Sequence, residues 1–138
     1  SLHPVKNFLY GESVDTPLEP HRIAGTGLIE IPVVPARFLG QPVPFSGGFY
    51  LRFFPFPVLR RAANNVVGRD LPLQWYVHSW EVDVDQPRLP LKLHWRFFRY
   101  FRLSATEGVM RGIARSRPCV TVGEVAAEAR SRLEAAHA

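Results

Sequence analysis

The spacing of apolar residues changes several times along the chain, and each change predicts an element. Residues 28–34, Leu-Ile-Glu-Ile-Pro-Val-Val, set Ile29, Ile31 and Val33 on one face. That alternation predicts a strand, with Pro32 at its end or on a sheet edge. Residues 35–50 read as a Pro/Gly loop closing on Gly47-Gly48. Pro55 and Pro57 then open a short helix that Gly68 stops, with Val58, Leu59, Ala62, Ala63 and Val66 as its apolar face. Residues 71–78, Leu-Pro-Leu-Gln-Trp-Tyr-Val-His, are apolar on both sides, as expected of a buried strand.

The acidic, proline-containing stretch from Glu81 to Pro90 predicts a loop. Ser104-Ala-Thr-Glu107 reads as a capping box opening a helix whose buried stripe is Val109, Met110 and Ile113. Pro118 ends that helix, and Cys119-Val120 suggests a short strand. Thr121-Val-Gly-Glu124 repeats the capping pattern before a last helix running toward Leu133. Residues 1–26 read as irregular connecting chain. Short strands separated by helices indicate the α/β class. Two or three strands cannot close a sheet, so the chain is expected to be part of a larger α/β fold.

Composition narrows the classes. With 138 residues and 46% hydrophobic side chains, the chain can bury a core and is no disordered tail. No apolar run approaches the roughly 20 residues that span a bilayer. The single cysteine, Cys119, excludes a disulfide framework and a cysteine-rich zinc site. The net charge of +5 permits an anionic partner, although the cations are spread without a long basic block. The first residue is Ser1 and no basic-then-apolar leader follows, so a piece of a longer protein is expected.

Three constellations carry chemistry. His78-Ser-Trp-Glu-Val-Asp83 begins where the second strand is expected to end, the position at which α/β barrels place catalytic groups. A histidine side chain can serve as either general acid or general base near neutral pH. Glu81 or Asp83 can orient it, and Trp80 can wall a sugar-sized pocket; the same spacing also suits a strand-end histidine that only satisfies a hydrogen bond. Ser46-Gly47-Gly48-Phe49-Tyr50-Leu51-Arg52 offers backbone amides for an oxyanion and Arg52 for a carboxylate, or else a tight turn with core aromatics. The segment Lys92 to Arg102 interleaves cations with aromatics, as in single-stranded nucleic-acid binders. Its Leu93, Phe97 and Phe101 also fall at helical spacing, which favours packing over nucleic acid. The five histidines are scattered, without metal-ligand spacing.

Two further features bear on identity. Gly47-Gly-Phe-Tyr-Leu-Arg-Phe-Phe-Pro55, followed by Trp75-Tyr-Val-His-Ser-Trp-Glu-Val-Asp-Val-Asp-Gln-Pro87, resembles polysaccharide deacetylases of the NodB type. The similarity is greatest to the bacterial branch linked to exosortase/PEP-CTERM exopolysaccharide clusters. His3-Pro-Val-Lys-Asn-Phe-Leu-Tyr-Gly11 and Phe101-Arg-Leu-Ser-Ala-Thr-Glu107 resemble the same branch, so the likeness runs from residue 1 to about residue 128.

The resemblance implies the C-terminal half of such an enzyme: the last strands and helices of a distorted (β/α) barrel over residues 1–90, and a family-specific C-terminal extension packed on it over residues 91–138. The family comprises hydrolases of non-peptide carbon–nitrogen bonds that remove N-acetyl groups from amino sugars, here in exopolysaccharide biosynthesis. A divalent metal, usually zinc, is held in the family by one Asp and two His, with a second Asp as base; all four lie upstream of the residues present here. His78 matches the late-strand histidine that acts as general acid. Phe49, Tyr50 and Arg52 match positions bordering the site, with Trp80 beside them as substrate-binding candidates. Arg52 is equally open to intramolecular pairing. The chain departs from the branch at Ser79, where proline is usual, and at Phe49, where a third glycine is usual.

The chain alone is therefore expected to be inactive and to need the missing N-terminal half as well as a polysaccharide substrate. A cytoplasmic location is expected from the branch. A non-catalytic carbohydrate-binding or complementing subunit is the alternative, with a basic nucleic-acid-binding module behind it.

Overall fold

The computed structural model describes residues 17–135. Four short strands come first: β1 His21–Arg22, β2 Ile29–Glu30, β3 Ala36–Phe38 and β4 Gln41–Val43. They form two separate two-stranded antiparallel hairpins, β1–β2 and β3–β4. Five α-helices follow: α1 Gly48–Phe53, α2 Phe56–Val67, α3 Leu93–Tyr100, α4 Ala105–Ser116 and α5 Val122–Ala135. A 3₁₀ turn at Ser79–Glu81 lies between α2 and α3. The class is mixed α/β with small sheets.

Proline explains why the expected strands stay short. Of residues 28–34 only Ile29 and Glu30 pair, because Pro32 and then Pro35 lack the N–H that a continued ladder needs. Residues 71–78 run extended but join the fold by a single parallel bridge, Gly47 to Tyr76. Their two sides differ, which corrects the expectation of a strand apolar on both. Leu71, Leu73, Trp75 and Val77 pack on the core. On the other side, Gln74 donates to the carbonyls of Ile31 and Pro32, at 3.0 and 3.3 Å. Cys119-Val120 is not a strand.

The loop expected over 35–50 contains the β3–β4 hairpin and the start of α1. Its two-residue turn, Leu39-Gly40, has φ of 49° and 79°. Positive φ at both positions is what a tight hairpin turn demands of its centre; leucine supplies one of them against its own preference.

The core is built by Val34, Ala36, Phe45, Leu51, Leu59, Ala63, Val66 and Ile113. Leu59, Ala63 and Val66 come from one face of α2, at the spacing the sequence predicts, whereas Val58 is exposed. In α4, Val109 and Ile113 face inward and Met110 faces solvent. Helix α4 packs on α1 and α2, and α5 packs on β2. The segment after residue 90 is thereby seated on what precedes it. Gly112 allows the close approach of α4 to α2: a Cβ there would lie 3.1 Å from the Phe56 ring.

The two capping motifs behave differently. Thr121 and Glu124 cap α5 as expected: the Thr121 hydroxyl accepts from the Glu124 N–H at 3.2 Å, and Glu124 Oε2 accepts from the Thr121 N–H at 2.7 Å. Ser104 makes no side-chain cap, because its own φ and ψ of −60° and −17° are already helical. Glu107 instead pairs with Arg111 one turn on, at 2.6 Å.

Candidate functional site

The expected site residues fall into one neighbourhood, where α1, the 3₁₀ turn and the end of α3 meet. The glycine pair begins it. Neither Gly47 nor Gly48 has positive φ. Both are needed because other side chains lie where a Cβ would be, the Tyr76 ring at Gly47 and the Glu81 carboxylate at Gly48. The Glu81 carboxylate thus fills the space beside the first turn of α1.

Glu81 is buried, and its two oxygens have separate tasks. Oε1 accepts from Arg52 Nη2 at 2.8 Å. Oε2 accepts from the backbone N–H of His78 at 3.0 Å. The Glu81 N–H in turn donates to the His78 carbonyl at 2.9 Å, closing the 3₁₀ turn.

Arg52 is wholly buried. A guanidinium has five N–H donors, and this one uses them in several directions. Nη1 donates to the carbonyls of Phe101 and Arg99 at 2.7 and 3.2 Å, and Nη2 also reaches the Phe98 carbonyl at 3.4 Å. Nε donates to the Gly48 carbonyl at 3.2 Å. The carbonyls of 98–101 close the C-terminal end of α3, where a cation is favoured. Of the two roles open to Arg52, intramolecular pairing is the one observed. Its expected contact with substrate is corrected by full burial and fully occupied donors.

His78 is exposed at the end of the extended 71–78 segment. Its ring stacks on Trp80, with centroids 6.2 Å apart and planes 11° from parallel, and meets Tyr76 edge-on at 6.4 Å. Neither expected orienting carboxylate bonds the imidazole. Glu81 engages the His78 backbone instead, and Asp83 Oδ1 accepts from the Asp85 N–H at 3.1 Å.

Trp80 is half-buried, with the guanidinium carbons of Arg99 and Arg52 at 4.6 and 5.6 Å from its ring centroid. Such cation–π contacts fix the indole against the end of α3. The backbone after it is held by Gln86, whose Nε2 donates to the carbonyls of Trp80 and Asp83 at 2.6 and 2.8 Å.

Phe49 lies in an aromatic cluster with Phe53 and Phe98, at centroid distances of 5.6 and 4.8 Å. Tyr50 is half-buried and stacks on Phe54 at 6.2 Å. The Lys92–Arg102 segment is helical over most of its length. Phe97 and Phe101 meet in a tilted contact at 4.7 Å while Phe98 meets Phe49. Packing accounts for these contacts, although Trp95 and Phe97 remain 40% and 44% exposed.

Arg99 and Gln86 are the members of this neighbourhood that sequence reasoning missed. The paired glycines were the signal for close approach by side chains. Nothing in the sequence marks Gln86 apart from its place in the Asp85-Gln86-Pro87 run.

An open depression of about 460 Å³ is lined by Pro57, Val58, Arg60, Arg61 and Asn64 of α2, away from the His78 group. Among the described residues, no three or more His, Cys, Asp or Glu side chains converge to hold a metal. The described residues do not by themselves fit a metal site. No helix among them is long and apolar enough to cross a membrane.

A family model, Domain of unknown function (DUF3473), matches residues 1–127. The chain belongs to this family. No curated protein and no solved structure matches it. The matched span of the DUF3473 chain takes in α1, the His78 turn, α3 and α4, so the whole Arg52–Glu81–His78 arrangement lies within the family domain.

Proposed function

We propose that this chain is the C-terminal part of a polysaccharide deacetylase that removes N-acetyl groups from amino sugars during exopolysaccharide biosynthesis on the cytoplasmic side, with His78 as general acid. The DUF3473 domain is associated with polysaccharide deacetylases, and the motifs around Gly47–Pro55 and Trp75–Pro87 resemble those of the NodB type. In this reading residues 1–90 complete a barrel with strands contributed from elsewhere, and the divalent metal and the base come with them.

The observation that carries the reading is the presentation of His78. Its backbone is pinned by Glu81 at 3.0 Å while its ring stays exposed against Trp80. Hydrolysis of an acetamide breaks the carbon–nitrogen bond, and the departing amine needs a proton. A protonated imidazole in this position supplies it, leaving the neutral ring to be reprotonated from solvent. Trp80 and Tyr50 offer the flat apolar surfaces against which a sugar ring packs.

The test is acetate release from an N-acetylated glucosamine oligomer by the protein that contains this chain within a complete barrel. His78→Ala is expected to lower the rate by about two to four orders of magnitude, the usual contribution of general acid–base catalysis. Metal content should not change. An undiminished rate removes His78 from the role. The 138-residue chain by itself is expected not to turn over.

A further inference from the structure

Two contact paths run from α3 to His78. The first starts at the carbonyls of Phe98, Arg99 and Phe101, which accept from the Arg52 guanidinium. Arg52 holds Glu81 Oε1, and Glu81 Oε2 holds the His78 N–H. The second runs from the Arg99 guanidinium to the Trp80 ring at 4.6 Å, and from that ring to the His78 imidazole stacked on it. Each path begins on backbone or side chain near the end of α3, so neither persists unchanged if α3 leaves its seat.

We infer that Arg52 and Glu81 are a positioning pair that couples the placement of His78 to the docking of α3. The assignment rests on the reading of His78 as the functional histidine.

Neither oxygen of Glu81 is spare. Holding Arg52 fixes the carboxylate plane, and the fixed plane places Oε2 under the His78 amide. Gly48 leaves the room for this, since a side chain there would displace the carboxylate. Helix α3 is seated by aromatics, with Phe98 at 4.8 Å from Phe49 and Phe101 at 6.2 Å from Phe53. Loosening that seat takes the three carbonyls away from Arg52. The guanidinium is then left with Glu81 and the Gly48 carbonyl, free to rotate with the carboxylate it carries. A pair that served only to hold helices together would leave His78 insensitive to α3.

Amide hydrogen exchange on the 138-residue chain reads the coupling without substrate, so an uncoupled histidine and an inactive enzyme are told apart. Wild type is compared with Glu81→Gln, which removes the carboxylate charge and replaces one of its acceptor oxygens with an amide nitrogen, and with Phe98→Ala, which loosens α3 without changing residues 78–81. The His78 amide is expected to exchange about tenfold faster in both variants, while the α2 amides of Leu59 and Ala63 keep their wild-type protection, as in a local opening. Arg52→Lys, which can hold Glu81 but reaches fewer carbonyls, should fall between wild type and Glu81→Gln. Phe98→Leu keeps most of the apolar volume and reads the same coupling where Phe98→Ala yields too little folded protein. An unchanged rate at His78 in the Phe98 variant overturns the coupling. So does equal acceleration at His78 and throughout α2, which is global opening.

Discussion

Arg52 Nη2 and Glu81 Oε1 stand 2.8 Å apart, with side chains 0% and 3% exposed. Burying two charges is costly, and attraction alone does not repay it unless the remaining donors and acceptors are met. Here they are met by the Gly48 carbonyl, the closing carbonyls of α3 and the His78 amide. Arg52→Ala strands the carboxylate, and is expected to lower unfolding free energy by about 3–5 kcal/mol in urea titration. Arg52→Met combined with Glu81→Gln should cost less than the two single changes added together, because neither variant side chain leaves a charge behind. Simple additivity would show that the two do not act as a pair.

Three glycines offer a graded comparison. Gly48→Ala pushes against the Glu81 carboxylate, Gly112→Ala meets the Phe56 ring at 3.1 Å, and Gly108 in α4 has nothing within 4 Å of its Cβ position. Thermal or urea unfolding should rank them in that order, Gly48→Ala the most damaging. Gly108→Ala should raise stability by about 0.5–1 kcal/mol through helix propensity alone. A harmless Gly48→Ala would contradict the close seat described for Glu81.

How much of this was legible follows from which forces are local. Helix α2, the Thr121 cap and the inward face of Leu59, Ala63 and Val66 follow from spacing and capping chemistry, and all three were readable. Residues 71–78 were misread as a strand apolar on both sides, because only Leu71, Leu73, Trp75 and Val77 face the core and no partner strand lies among the described residues. Helix α1 was hidden behind a glycine pair that looked like a turn, its purpose visible only once Tyr76 and Glu81 occupy the space. His78 and Trp80 come together as expected, by short sequence separation. Arg52 stayed undecided between substrate and intramolecular pairing because what buries it, the end of α3, lies 46 to 49 residues away.

The hairpin turn makes its own prediction. Leu39 sits at φ 49° with 88% of its surface exposed, so its strain is offset by little packing. A left-handed conformation costs an ordinary residue about 1–2 kcal/mol, and asparagine tolerates it better. Leu39→Asn is expected to raise unfolding free energy by up to about 1 kcal/mol. A loss of stability on chemical denaturation would mean that the leucine side chain holds something in place.

The first turn of α5 should respond to acid through Glu124. The Thr121 N–H, and then the Thr121 hydroxyl, hydrogen-bond the Glu124 carboxylate and hold its pKa below the ordinary glutamate value. A carboxyl whose folded pKa is depressed stabilises the fold at pH above its unfolded value, and that contribution disappears as pH falls through the folded one. Fraying of the first turn of α5 is therefore expected only below the ordinary glutamate range, with α2 unaffected over the same interval. Backbone NMR shifts of Val122 to Val125 against those of α2, followed from neutral pH into acid, give the measurement. Glu124→Gln should abolish the acid step and leave the Thr121 hydroxyl to cap the Glu124→Gln backbone N–H as before. An acid step of the same size in that variant would assign the titration to another carboxyl group.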